Sequence, residues 1–163
     1  MLKSALLALL LAGVSAQQSD LPESKGYEAK RSALLAEISG ALSREESQQQ
    51  LAFCPDASTT IEINQCAATE FTKTDLNYRH LLIALFKLVR LDDSPESRSK
   101  QVSRSLDQGD AAWVTYRQKS CTALFESYQG GTAATSAALQ CKQALTWSHM
   151  KELADTFDVL RQS

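Results

Sequence analysis

TTIEINQCAATEFTKTDLNYRHLLIALFKLVRL, Thr59 to Leu91, is the stretch whose reading decides the fold class. Thr59 followed three residues later by Glu62 has the form of a capping box, in which each side chain satisfies a backbone N–H that the first helical turn leaves unpaired. Behind it Ile63, Ala67, Phe71, Tyr78, Leu81, Leu82, Leu85, Leu88 and Val89 recur at steps of three and four, the period of one helix face. The spacing predicts a single long helix ending near Leu91.

Working outward, LAFCPDAS (Leu51 to Ser58) interrupts the helical pattern, because Pro55 disfavours helical geometry at Cys54 and Asp56 and Ser58 suit a turn. Upstream, Tyr27, Leu34, Leu35, Ile38, Ala41 and Leu42 predict an amphipathic helix to about Gln50. Its charge-rich end SREESQQQ, Ser43 to Gln50, reads as a solvated surface. Residues 17–26, with Pro22 and Gly26, read as a loose polar leader. Downstream, Ser94 and Pro95 suit the N-cap and first turn of a third helix. It carries Val102, Leu106, Ala112, Trp113, Tyr116, Leu124 and Tyr128 on one side and stops at Gly130 and Gly131. A fourth helix starts near Thr135, with Ala138, Cys141, Leu145, Ser148, Leu153, Phe157 and Leu160 on its face. No segment alternates with the period of a strand. The expected fold is all-α, an antiparallel up-and-down bundle of three core helices plus an additional N-terminal helix.

The first sixteen residues, MLKSALLALLLAGVSA, have the layout of a secretory signal peptide: Lys3, an apolar run from Ala5 to Ala12, and small residues before a cut after Ala16. That run is shorter than the ~20 apolar residues of a membrane span. No cysteine follows the cut, so a lipid anchor is not expected, and localisation is expected to be secreted or periplasmic. Of 163 residues, removal of these sixteen leaves 147, enough for one domain: a leader and N-terminal helix over 17–53, and a helical domain over 54–163. With Lys3 gone, 16 basic residues face 19 acidic ones and the formal charge moves from -2 to -3. A mildly acidic chain has no clustered Lys and Arg with which to hold nucleic acid.

Cys54, Cys66, Cys121 and Cys141 fit an oxidising compartment and two disulfides. Their spacings are unlike the close pairs of a zinc site, and no cofactor is expected. If the second and third helices reverse near Asp93, Cys66 and Cys121 lie 27 and 28 residues from the turn and share a level; the Gly130 turn brings Cys141 to the same level, and Cys54 joins that pole. Pairing of Cys121 with Cys141, which staples a hairpin, is favoured, with Cys54 and Cys66 by elimination. The crossed pairing, Cys66 with Cys121 and Cys54 with Cys141, is the rival.

At the heart of the third helix WVTYRQKSC places Trp113, Arg117 and Cys121 at steps of four on one face, with Tyr116 alongside. An arginine in a helix seam calls for a bidentate carboxylate, and the same level arithmetic nominates Glu70, with Asn77 supplying a hydrogen bond near the Trp113 indole. The stripe reads as core and clamp, or alternatively as a binding hot spot, where Trp, Tyr and Arg are enriched.

The order Cys54, Cys66, the Leu76–Asn77 step, Trp113 with Tyr116, Arg117 and Cys121, the Gly130 turn, and Cys141 with Thr146 and Leu153 resembles the LprI-like lysozyme inhibitor family over roughly residues 54–153. The sequence departs from the family pattern at Lys73, His80, Asp110, Ala111 and His149. The resemblance implies a small exported helical protein that binds lysozyme and blocks its cleft, which a mildly acidic bundle suits electrostatically. Exposed candidates for the contact are the pole from Cys54 to Thr60 and the turn from Gln129 to Thr135. Two other classes compete. An enzyme would need a nucleophile or acid–base constellation, and no GxSxG, HExxH or glycine-rich phosphate loop is present. A non-enzymatic envelope module or small-ligand carrier with another partner would be distinguished by a cavity in the bundle.

Overall fold

A computed structural model describes residues 22–91 and 98–157. Four helices appear among them: α1 (Pro22–Gln49), α2 (Thr60–Val89), α3 (Ser99–Ser127) and α4 (Ala134–Thr156). The fold is the expected all-α bundle with two disulfides, Cys54–Cys66 and Cys121–Cys141, which removes the crossed pairing. The proposed signal segment, the Ser94–Pro95 start and Leu160 lie outside the described residues.

Local chemistry explains most boundaries. Thr59 Oγ1 accepts from the Glu62 N–H at 3.2 Å while Glu62 Oε2 accepts from the Thr59 N–H at 2.9 Å, closing the capping box read from the sequence. Two further bonds from Ser58, donated by its N–H and its hydroxyl, reach the same carboxylate. α3 stops at Ser127, and Gln129 and Gly130 then take left-handed φ values of 49° and 77°. Gly130 suits that conformation, and a Cβ on Gly131 would stand 3.1 Å from the Tyr128 carbonyl. α1, by contrast, begins at Pro22 rather than Tyr27. Proline is at home in a first helical turn, so residues 22–26 are helix and not loose leader.

Packing departs from simple succession. α2 packs on α1 and α4, and α3 packs mainly on α4, approaching α2 much less. The common core joins Leu34, Ile38 and Ala41 of α1 to Tyr78, Leu81, Leu85 and Leu88 of α2, and to Met150 and Leu153 of α4. The N-terminal helix is therefore part of the bundle. Along α3 the buried line is Ser103, Leu106 and Cys121, while Tyr116, Leu124 and Tyr128 of the expected apolar side are exposed. In α4 the buried line is Gln143, Thr146, Met150 and Leu153, with Ser148 exposed.

The end of α1 is solvated as SREESQQQ suggests at six of its eight residues, and departs from that reading at Glu45 and Gln48. Leu34, Ile38 and Ala41 continue at the next helical step to Glu45, which is 0% exposed. Its carboxylate accepts from Thr74 Oγ1 at 2.8 Å and Asn77 Nδ2 at 3.0 Å on α2, and from Gln49 Nε2 at 2.7 Å. One turn on, Gln48 Nε2 donates to the Glu70 carbonyl at 2.9 Å. A buried carboxylate is tolerated only when so supplied with donors.

Candidate functional site

Arg117 sits in the seam where α3, α2 and α4 converge. Its side chain is only 11% exposed. Nη1 donates to Asp75 Oδ1 at 3.2 Å and to Thr146 Oγ1 at 2.8 Å, and the guanidinium carbon lies 4.8 Å from the Trp113 ring centre and 5.4 Å from that of Phe71. The expected partner was Glu70, but that carboxylate takes Lys73 at 2.7 Å. Asp75 and Glu70 are five residues apart, about 7.5 Å along the helix axis. The level arithmetic takes α3 as lying flat against α2; because α3 packs mainly on α4 and approaches α2 much less, the guanidinium meets α2 farther along.

Asn77 is likewise not a partner of the indole. Its amide bridges to α1, donating to Glu45 and accepting from Arg44 Nε at 3.1 Å. Trp113 instead stacks on His149 of α4, with ring centres 4.2 Å apart and planes within 10°, and meets Tyr78 of α2 at 5.0 Å in a tilted contact. Tyr78 donates its hydroxyl to Asp110. Burial, with that bond second, raises the phenol pKa, so Tyr78 remains a donor. Burial lowers the His149 pKa below its ordinary 6.5, despite Glu152 Oε2 at 3.3 Å, and the ring is neutral at pH 7.

One cation and four rings, Phe71, Trp113, Tyr78 and His149, thus tie three helices together, with Asp110 at the outer end. Tyr116, one position off this line, is 57% exposed and takes no part. Sequence reasoning missed Glu45, Asp75, Tyr78, Asp110 and His149 as members of these networks. For Glu45 a signal existed, since it falls on the apolar stripe of α1; for Asp75 the sequence carried none. Asp110 and His149 line one cleft, while Lys73 and His80 are exposed on α2 and Ala111 on α3.

Both disulfides lie at one pole. A recess there is lined by Cys54 and Cys66 together with Gln140 and Gln143, the neighbours of Cys141 on α4. Around it Leu51, Phe53 and Ile61 are 72%, 38% and 70% exposed, and Cys54 takes a left-handed φ of 50°. At the other side, a cleft of about 500 Å³ runs between α3 and α4 over Leu82, with Asp110 and His149 in its wall. Among the described residues no three His, Cys, Asp or Glu side chains stand together to hold a metal ion, and no helix is long and apolar enough to cross a membrane.

The model of the family described as lysozyme inhibitor LprI matches residues 54–153. This chain belongs to the LprI lysozyme inhibitor family. The LprI match spans both disulfides, α2, α3 and nearly all of α4, and leaves out α1, although α1 supplies part of the core. LprI is an inhibitor family rather than a known enzyme family, and within the matched region Arg117 of α3 bonds to Asp75 of α2 and Thr146 of α4. No curated protein and no solved structure matches the chain.

Proposed function

We infer that this protein is an exported lysozyme inhibitor that acts by binding the enzyme and not by chemistry on a substrate. The observation that carries this reading is the LprI match over residues 54–153. Three features of the disulfide pole support it as the contact surface. Leu51 and Phe53, in a loop that Cys54–Cys66 ties to α2, and Ile61 in the first turn of α2 offer apolar anchors. Glu62, held to about 2 by the Ser58 and Thr59 N–H groups, stays ionised, and Asp56 adds a second negative charge facing a basic enzyme. Export follows from the signal-like start, with a mature chain beginning near Gln17 in the periplasm or outside the cell.

Titrating lysozymes of several types with the oxidised protein tests the reading. Stoichiometric loss of cell-wall lysis is expected for at least one type. The Leu51→Asp, Phe53→Asp double variant should abolish it without changing the melting temperature. Full lysis of every type at micromolar excess would overturn inhibition, and unimpaired inhibition by the double variant would move the contact elsewhere.

A further inference from the structure

Gly109 occupies the middle of α3, where glycine costs about 1 kcal/mol relative to alanine. Nothing lies within 4 Å of where its Cβ would be, so no close packing demands it. What its missing side chain leaves open is the α3–α4 cleft. Leu82, Val102, Leu106, Leu153 and Phe157 make the walls apolar, and the volume of about 500 Å³ falls within the range of small-molecule sites. Beside Gly109 stands Asp110, half-buried, with one carboxylate oxygen engaged by Tyr78 and no ion pair to any Lys or Arg among the described residues. His149 across the cleft is neutral and brings no compensating charge. Arg98, the cation in the cleft lining, is twelve residues away on α3, about 18 Å along the axis.

We propose that this cleft is a binding site for a hydrophobic ammonium compound, a single alkyl or aryl chain ending in a protonated amine. The hydrocarbon lies along the apolar walls, and the ammonium donates to the Asp110 carboxylate oxygen that Tyr78 leaves free. An amine supplies the missing partner of a half-buried carboxylate; an anionic head placed there would meet like charge. The site is separate from the disulfide pole, and its occupancy does not depend on lysozyme binding.

Calorimetric titration with decylamine, decanol and decanoate, each below its micelle threshold, tests this on the intact oxidised protein, with amide NMR shifts at Gly109 locating the site. Decylamine should bind at least about tenfold tighter than decanol, about 1.4 kcal/mol, and tighter still than decanoate. Asp110→Asn, which keeps an acceptor for Tyr78, should erase the preference of amine over alcohol. Gly109→Leu, which favours the helix while filling the cleft, should weaken both at least tenfold. Absence of decylamine binding, equal or stronger decanoate binding, a preference that survives Asp110→Asn, or undiminished binding by Gly109→Leu would each overturn the proposal.

Discussion

Replacing Arg117 by alanine removes more than a charge. Its contact with Asp75 joins side chains only 11% and 20% exposed, so solvent screens it less than a surface pair. A hydrogen bond to a charged group contributes about 1.5–3 kcal/mol. The 3.2 Å separation is long, and Asp75 keeps Arg79 at 2.8 Å when Arg117 is gone, which places the coupling at the lower end, about 1.5 kcal/mol. Two cation–π contacts, at 4.8 and 5.4 Å, add ~0.5–1 kcal/mol each. Thr146 loses the 2.8 Å bond it accepts from the guanidinium but is not stranded, since its hydroxyl still donates to the Lys142 carbonyl at 2.7 Å. The single variant should therefore lose roughly 3 kcal/mol. Urea unfolding of the parent, Arg117→Ala, Asp75→Ala and the double variant, all oxidised, isolates the pair term. A coupling within about 0.5 kcal/mol of zero would refute the assigned partnership, as would a larger coupling in the matching cycle with Glu70→Ala.

Glu45→Ala should cost roughly 3 kcal/mol in the same assay by stranding Thr74 and the Asn77 amide, although the sequence around it looks like surface; a loss under 1 kcal/mol on that scale would show water replacing the carboxylate. Because burial holds the His149 pKa below 6.5, the unfolded chain takes up its proton first as pH falls. Stability present above pH 6.5 should then decline through the range below it, and His149→Phe, which keeps the stack on Trp113, should flatten that slope in thermal melts taken across pH. Opening Cys121–Cys141, which closes a span of 20 residues, should lower stability by about 3 kcal/mol in the Cys121→Ala, Cys141→Ala variant, and an unchanged urea midpoint would contradict the staple.

The limits of the sequence show at particular residues. Thr59 and Glu62 announce the start of α2 because their partners are three positions away, and the local spacing alone makes the bonds. The same holds for the left-handed glycine after α3. Disulfide pairing was legible because a short hairpin brings Cys121 near Cys141 whatever the helices do elsewhere. Failures begin where partners are remote. Spacing points Arg117 to Glu70 where the structure has Asp75, five residues on, and the indole to Asn77 where the structure has His149, and it sets Tyr116 on a side of α3 that is exposed.

What the chain decides by itself is therefore its helices, the capped start of α2, the glycine stop after α3 and the level at which its sulfurs meet, all set by contacts between residues close in sequence or by turns of fixed length. Tertiary structure alone decided that α4 would lie between α2 and α3, that Asp75 would take Arg117, and that Glu45 would be buried on Thr74 and Asn77 about thirty positions away. The reason is geometric. Glu70 and Asp75, five positions apart, point about 140° apart around α2, and only the rotation and inclination of the neighbouring helices determine which of them a guanidinium reaches.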